Sequence, residues 1–546
     1  MSRYNYKRRA TREVVVGHGE NAVGIGGNND IRLQSMTNTS TLDTEGSARQ
    51  AKRIAEAGGE IVRLTTQGVR EATNLTAIKE AMAAEGCRVP LVADIHFNPK
   101  AAYEAAWRCE KVRINPGNFV DAPRQFLHLE YSEEEYAQEM EHIRESLVPF
   151  LDICKAHGTA VRLGVNHGSL SDRIMSRYGN TPAGMVESVM EFLRVCREEN
   201  FDQIVISIKA SNTVVMVETV RLLVKEMERE GMSFPIHLGV TEAGDGEDGR
   251  IKSAVGIGTL LSEGIGDTIR VSLSEPPENE IPVARLLRDY IEKRAGHAPI
   301  AEPSETPENT RLKSAQIPGK SWEGEVGIAG MDFEIEEWWH RVDASEAVRD
   351  FGDTLPVVIT SRHQNRIGEI QSYIDRTVVE GVRNPFIISL EYDTNRLEEL
   401  QVEAGADFGT LLLNGYASGI ELKAPAFTKA QLDNIGEGIL QAARLRFSKP
   451  EYIACPGCGR TLFDLQSTLQ QVKAATKELK GMKIGVMGCI VNGPGEMADA
   501  DYGYVGAGPG RVSLYRGKEL VVKNIPTEEA LPLLLEMIRK DKKSEN

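Results

Sequence analysis

Over its first 275 or so residues this chain alternates short apolar runs with longer helix-patterned stretches, eight times in succession. The runs are Ile31–Met36, Glu60–Thr65, Pro90–Asp94, Lys111–Asn115, Thr159–Gly164, Gln203–Ile208, Pro235–Gly239 and Thr268–Leu273. Helical patterns such as Glu45–Ala57 and Pro182–Glu199 separate them. Near-continuous apolar runs suit strands buried on both faces. A strand–helix alternation repeated eight times points to a parallel TIM (β/α)8 barrel, so an α/β fold is expected for residues 1–290.

Polar residues fall at the ends of these runs. They are Gln34, Arg63, Asp94 with His96, Arg113 with Asn115, Arg162 with Asn166, Lys209, Thr241 with Glu242, and Arg270 with Ser272. In a TIM barrel all C-terminal strand ends converge on one mouth, where catalysis takes place. Arg63, Arg113, Arg162, Lys209 and Arg270 would then ring one pocket. A surface salt bridge explains any single arginine equally well. It explains poorly five cations at equivalent positions of successive units. The guanidinium fork matches phosphate oxygens, so the pocket is expected to take an anion, a diphosphate above all. Glu242, in the glycine-rich loop after the seventh strand, is a candidate acid/base. The earlier glycine run Gly24-Ile25-Gly26-Gly27 precedes the first barrel strand and reads as a hairpin turn rather than a phosphate loop.

The second source of chemistry lies near the C-terminus, in Cys455-Pro456-Gly457-Cys458-Gly459-Arg460 and Gly488-Cys489-Ile490-Val491-Asn492-Gly493-Pro494-Gly495-Glu496. A CxxC pair with one distant cysteine supplies three thiolates, one short of a filled zinc or iron–sulfur site. CxxC alone favours structural zinc. Against zinc, no histidine or fourth cysteine stands near Cys489 to close a tetrahedron. Glu496 follows a sharp turn that can fold its carboxylate back toward the same metal. Together with the phosphate-type barrel, these features point to an iron–sulfur cluster with one exchangeable position.

Composition narrows the remainder. At 546 residues two to four domains are expected. A net charge of −16 argues against non-specific nucleic-acid binding. No stretch approaches the apolar length of a membrane span, and the basic N-terminus lacks a signal core or clear transit peptide, so a bacterial cytoplasmic location is expected. Cys87, Cys109, Cys154 and Cys196 lack ligand spacing and read as packing residues of a reducing compartment.

A Pro/Glu/Ser-rich stretch from Ala298 to Gly319 reads as a linker opening an inserted α/β region, the whole spanning 291–448. Its strand candidates are Leu355–Thr360, Pro385–Leu390 and Gly409–Asn414, and its helix candidates Asn395–Glu403 and Lys429–Phe447. No comparable set of cations marks those strand ends, and Trp338-Trp339-His340 reads as core or interface. Residues 449–546 form a compact α+β domain: helix Leu462–Lys480, strand Lys483–Met487 running into Cys489, strands Val512–Tyr515 and Glu519–Val522, and helix Thr527–Lys540.

These motifs resemble those of the iron–sulfur 4-hydroxy-3-methylbut-2-enyl diphosphate synthase family. The matching segments are Gln34–Thr37, Ala93–Phe97, Arg113–Asn118, Gly164–Leu170, Gly239–Gly244 and Gly264–Leu273, with the two cysteine motifs. The insert matches the long, three-domain form of the family. The resemblance implies reductive opening and dehydroxylation of 2-C-methyl-D-erythritol 2,4-cyclodiphosphate, with two electrons from ferredoxin or flavodoxin. It implies a [4Fe–4S] cluster on Cys455, Cys458, Cys489 and Glu496, the carboxylate being the replaceable ligand. It implies diphosphate binding by Arg63, Arg113, Arg162, Lys209 and Arg270 with Asn115, Asn166, Thr241 and Ser272. Glu242 would protonate the departing hydroxyl, and Asp94 and His96 would orient substrate. The cysteine segment must then dock over the barrel mouth, within a monomer or across a homodimer, with a hinge near residues 445–450. The competing class is a non-redox TIM-barrel transferase resembling pterin-binding enzymes, with a structural metal domain attached. A pure electron carrier would leave the barrel unexplained.

Overall fold

The computed structural model describes residues 4–120, 130–304, 317, 319–490 and 499–544. The chain divides into two compact units. Ala10–Asp245, Gly266–Ala284 and Lys449–Asn546 form one, and Met1–Arg9, Gly246–Ile265 and Arg285–Ser448 form the other.

In the first unit a hairpin, β1 (Val14–Val16) and β2 (Val23–Ile25), precedes the eight expected strands. These are β3 (Arg32–Met36), β4 (Ile61–Thr65), β5 (Leu91–Asp94), β6 (Lys111–Ile114), β7 (Ala160–Asn166), β8 (Ile204–Lys209), β9 (His237–Leu238) and β10 (Thr268–Ile269). All pair in parallel, in the order β8-β7-β6-β5-β4-β3-β10-β9. A bridge between Ile206 and Ile236 joins the two ends of that order, which completes the barrel. The last two strands are shorter than expected, because the chain beyond them leaves the ladder to build the mouth. Side-chain caps at Asp43, Asn98, Ser132, Thr181 and Asn212 start the helices that follow.

The barrel interior is layered. At the N-terminal end Val14, Val16 and Ile25 of the hairpin pack with Ile61, Val92, Ala160 and Val205 at the strand starts, an apolar floor. Gly26 (φ 76°) and Gly27 (φ 58°) turn the chain from the hairpin into β3. The register then sets Met36 beside Arg63, and Asp94, Arg113 and Arg162 side by side across β5, β6 and β7. Asn166 pairs with Lys209 across β7 and β8. Floor and mouth therefore lie at opposite strand ends, as the barrel geometry requires.

The second unit holds a parallel sheet of β11 (Gly327–Ile328), β12 (His340–Asp343), β13 (Val357–Thr360), β14 (Phe386–Glu391) and β15 (Gly419–Lys423), in the order β11-β15-β14-β13-β12. The expected strands at 355–360 and 385–390 are present as β13 and β14. The expected strand at 409–414 is not: Gly409 to Leu413 end a long helix, Leu397–Leu413. The apolar run Leu411-Leu412-Leu413 imitates a buried strand, a known ambiguity of short apolar runs. The helix wins because its small residues meet helix Gly246–Ser262: a Cβ on Gly409 would lie 2.8 Å from Val255 Cα, and one on Gly405 3.0 Å from Ala254 Cβ. Trp339 is buried against Val358 and Ile387, whereas Trp338 is exposed.

The C-terminal segment belongs to the first unit. It forms a five-stranded sheet of β16 (Glu451–Ala454), β17 (Lys483–Met487), β18 (Tyr502–Gly508), β19 (Arg511–Arg516) and β20 (Glu519–Pro526) in sequential order. The first three strands are parallel and the last two turn back antiparallel. Helices Leu465–Thr476 and Thr527–Ser544 contribute to its core. Strands β16 and β17 are parallel neighbours, with Ala454 opposite Val486. Cys455 directly follows β16 and Cys489 follows β17, so the fold brings distant cysteines to one sheet edge. Among the described residues no helix is long and apolar enough to cross a membrane.

Candidate active site

The barrel mouth and the cysteine-bearing edge enclose one cavity of about 80 Å³. The barrel side contributes Arg63, Asp94, His96, Arg113, Arg162, Asn166, Lys209, Thr241, Glu242, Arg270 and Ser272. Cys455, Cys458 and Cys489 line the same cavity from the C-terminal segment. Among the expected substrate-binding residues the exception is Asn115. It is fully buried behind the wall, donates to Ser169 Oγ at 2.8 Å and caps the short helix Pro116–Phe119. Glu496 lies outside the described residues.

Asp94 is the hub of the mouth. Its Oδ1 accepts from Arg113 Nη1 at 2.9 Å and its Oδ2 from Arg460 Nη2 at 3.2 Å. Burial pushes its carboxyl up, but Arg63, Arg113 and His96 outweigh that and hold it well below the usual range. His96 is pushed down to about 3 by burial, with Arg113 and Arg460 adding to the shift. Its ring is therefore neutral, and Nε2 accepts a hydrogen bond from Arg113 Nη1. The remaining proton sits on Nδ1, which has no partner among the described residues.

The other cations divide into held and waiting groups. Glu280 grips Arg270 in a fork, at 2.9 Å to Nε and 2.8 Å to Nη2. Burial opposes the Arg270 charge, but Glu280 outweighs it and raises the pKa. Arg63 Nε meets Met36 Sδ at 3.0 Å, a weak acceptor for so strong a donor. Arg162 is 1% exposed, and its Nε and Nη1 have no partner among the described residues; nor do Arg113 Nε, Arg460 Nε and Thr241 Oγ1. Burial pushes Arg162 and Lys209 well below their ordinary pKa, with neighbouring arginines adding to the shift. Arg63 is pushed down to about 10, again chiefly by burial. A guanidinium stays protonated at neutral pH. For the arginines these shifts therefore measure how poorly their charge is compensated. Such a mouth demands an anion.

A further polar layer lies in the barrel. Lys111 Nζ, His237 Nε2 and both amide atoms of Gln34 are buried without partners among the described residues. Arg63 and Arg162 depress the already burial-lowered Lys111, and Lys209 and Arg162 do the same to His237. Unmatched polar groups thus continue beneath the mouth, where burial and the neighbouring cations disfavour further positive charge.

Glu242 is 2% exposed and adopts a left-handed backbone, φ 49°. For a non-glycine residue that conformation costs about 1–2 kcal/mol, strain of the kind that collects at functional sites. The next residue, Ala243, bridges in parallel to Ala454 immediately before Cys455. Ser274 Oγ donates to the Cys455 carbonyl at 2.9 Å. Lys473 reaches Asp245 at 2.8 Å. These contacts seat the cysteine segment on the mouth of the same chain.

The cysteine loop is closely held. Gly457 has φ 82°. A Cβ on Gly459 would come 2.6 Å from the Thr39 carbonyl oxygen, and one on Gly488 within 2.9 Å of Thr461 Oγ1. Gly488 N–H donates to Cys455 Sγ at 3.2 Å. Burial, more than that bond, governs Cys455, whose pKa is pushed up. Among the described residues no three His, Cys, Asp or Glu side chains converge on a single metal-ion position. The thiols are instead arranged around one cavity wall, with a backbone donor to sulfur. That donor set suits a multi-iron group, whose thiolates bind different metal atoms.

Sequence reasoning missed Arg460, Met36, Glu280 and Ser207. Arg460 and Met36 stood inside quoted motifs without a role. Glu280 had no local signal, because its partner Arg270 lies across a turn and its role appears only when the helix beginning at 280 folds back.

Two family models match the chain: "GcpE TIM-barrel domain" over residues 11–285 and "GcpE protein C-terminal domain" over residues 451–540. A Bacteroides thetaiotaomicron protein named 4-hydroxy-3-methylbut-2-en-1-yl diphosphate synthase (flavodoxin) is 52% identical, over 100% of this chain and 99% of its own length. Proteins of the same name from Porphyromonas gingivalis and Leptospira interrogans are 47% and 39% identical, each over 98% of this chain and over 98% and 97% of their own lengths.

Proposed function

The chain belongs to the GcpE family, and from that premise we propose that it is a flavodoxin-dependent iron–sulfur oxidoreductase of the methylerythritol phosphate route. It converts 2-C-methyl-D-erythritol 2,4-cyclodiphosphate to 4-hydroxy-3-methylbut-2-enyl diphosphate. Two electrons and one proton enter. One ring C–O bond and one C–OH bond break, a C=C bond forms, and water leaves.

One observation carries this reading: five cations at barrel strand ends and three cysteine thiols face each other across one cavity. Arg63, Arg113, Arg162, Lys209 and Arg270 neutralise the diphosphate. The unmatched Arg162 Nε and Nη1 and Arg113 Nε offer donors that the protein itself leaves unused. Asn166, Thr241 and Ser272 fix its orientation from the same wall. Asn115 acts at one remove, by shaping the loop that carries Ser169. His96, kept neutral, offers its Nδ1–H, and Asp94 keeps the His96–Arg113 pair in place. Glu242 delivers the proton to the departing hydroxyl, which leaves far more readily as water.

Cys455, Cys458 and Cys489 would hold a [4Fe–4S] cluster, with Glu496 as its fourth, exchangeable ligand. When bound, that group supplies electrons one at a time beside the substrate. The burial that raises the Cys455 pKa disfavours a free thiolate there, in keeping with a thiol that ionises only on binding metal. Flavodoxin as donor is supported by the names of the full-length relatives. The transferase alternative accounts for the cationic mouth but gives the three cavity-lining thiols no task.

The test is electron paramagnetic resonance of anaerobically reconstituted, dithionite-reduced protein, with and without the cyclic diphosphate. A [4Fe–4S] signal that changes on adding substrate is expected. A protein that takes up only zinc, or a cluster signal indifferent to substrate, would sink the proposal.

A further inference from the structure

Arg460 follows Cys458 by two residues and turns away from its own sheet toward the barrel. Its Nη2 donates to Asp94 Oδ2 at 3.2 Å, a contact spanning 366 residues of sequence. Both partners are nearly sealed from solvent, their side chains 9% and 1% exposed. The loop that aims it has little freedom. Cys458 N–H donates to Thr461 Oγ1 at 3.0 Å, Thr461 N–H donates back to the Cys458 carbonyl at 2.9 Å, and Gly459 lies against Thr39. On the barrel side, Asp94 Oδ1 is fixed by Arg113 Nη1 at 2.9 Å. The Asp94 carboxylate thus has one oxygen for each segment.

We propose that Arg460 is the positioning residue that latches the cysteine loop onto the barrel mouth through Asp94, and that its charge also tunes the metal group held by Cys458. The second half rests on the iron–sulfur reading above; the latch itself does not. Three observations support the assignment. Arg460 lines the cavity together with Cys458 and Cys489. It stands two residues from Cys458 in the same tight turn, closed by the Cys458–Thr461 hydrogen bonds, so its charge is carried by the loop that carries that thiol. Finally, this ion pair is desolvated. A buried pair with fixed geometry discriminates one arrangement from others, whereas an exposed pair such as Lys52–Glu56 is worth little. A cation held close to a metal group stabilises its more reduced, more negative state, so it raises the reduction potential.

The experiment compares Arg460→Gln and Arg460→Lys with the wild-type holoenzyme. Amide exchange is measured over residues 455–464, the midpoint potential by EPR-monitored titration, and kcat and KM with the cyclic diphosphate. For Arg460→Gln, exchange in the loop accelerates about tenfold or more as local opening becomes easier. The midpoint moves negative. Turnover falls roughly 10- to 100-fold, as when a group supporting a metal ligand is lost, while KM moves little because the diphosphate cations remain. Arg460→Lys keeps the charge and recovers most of the potential but only part of the loop protection. It also serves if the glutamine variant fails to fold. Unchanged exchange in both variants would overturn the latch. A rise in KM with unchanged kcat and potential would make Arg460 a substrate ligand instead. Exchange is informative even if the wild-type cluster proves indifferent to the cyclic diphosphate, an outcome that would count against the functional reading alone.

Discussion

Each of the two units buries charge completely, and they do so in opposite ways. In the unit that holds the insert, Asp407 is fully buried and wholly matched. It accepts from Arg294 at 2.6 Å, Arg366 at 2.6 Å, Tyr290 at 2.6 Å and Tyr392 at 3.2 Å. In the barrel unit Arg162 is just as buried, yet two of its nitrogens meet nothing among the described residues. A carboxylate whose lone pairs are all used fixes helices to one another. A guanidinium left short of partners waits for a ligand, and its cost is recovered only when an anion arrives. The number of buried charges does not separate the structural site from the candidate active site; their degree of compensation does.

The sharpest way to break that contrast is to remove Asp407. In Asp407→Ala, Arg294 and Arg366 stay buried without their counter-ion, so stability should fall by about 3–5 kcal/mol. Urea unfolding of the metal-free and the reconstituted protein measures it. A loss below about 1 kcal/mol would show that the site is no more than a surface-type pair. Arg162→Met should behave in the opposite sense. Removing an uncompensated buried charge should leave the fold as stable or more stable, while affinity for the cyclic diphosphate falls about 100-fold, the worth of one or two charge-assisted hydrogen bonds. Calorimetric titration and thermal unfolding on the same preparation give both signs. If Arg162→Met loses stability as Asp407→Ala does, the distinction drawn between the two regions is wrong.

How much of this contrast was legible in the sequence depended on whether its partners were local. The strand-end cations were legible because each is carried by its own apolar run, and the barrel brings equivalent positions together whatever the helices do. The cysteines were legible through spacing. Arg460 was not assigned, because its role exists only through Asp94, 366 residues away. Glu280 was missed for a similar reason, and so was strand β16, four residues long, whose partner β17 comes more than thirty residues later. Asn115 was assigned to the mouth by its neighbour Arg113. Strand alternation would put both on one face, but β6 ends at Ile114 and Asn115 instead caps helix Pro116–Phe119, its side chain held by Gly117 N–H and Ser169 Oγ. The insert helix was misread at 409–414 because glycine and leucine there answer to the neighbouring helix Gly246–Ser262, which sequence spacing does not reveal.

A third prediction concerns pH. His96 is held down to about 3 by burial and the neighbouring arginines, against an unfolded value near 6.5. Between those values the unfolded chain binds the proton and the folded chain does not. Stability is therefore fully present above pH 6.5 and is lost as pH falls below it. From pH 7 to 5 this one group should remove about 2 kcal/mol. In His96→Asn that part of the slope should vanish. An unchanged slope would mean that His96 takes up its proton in the folded mouth and that its Nε2 does not accept from Arg113.

The smallest effect is expected beneath the mouth. Lys111 is fully buried, has no partner among the described residues, and is pushed well below its ordinary pKa by burial and by Arg162 and Arg63. It does not line the cavity, so substrate has no direct claim on it. Methionine has a similar shape and no charge to desolvate. Lys111→Met should therefore raise stability by about 1 kcal/mol, at the modest end for replacing buried charge by packed apolar atoms. Turnover should stay within about threefold, because a residue outside the mouth acts on substrate only through long-range charge. Thermal unfolding and steady-state kinetics decide it. A gain in stability with turnover preserved would confine the function of uncompensated charge to the mouth. A drop of tenfold or more in kcat/KM would extend it downward and make Lys111, with His237 and Gln34, a working part of the anion field.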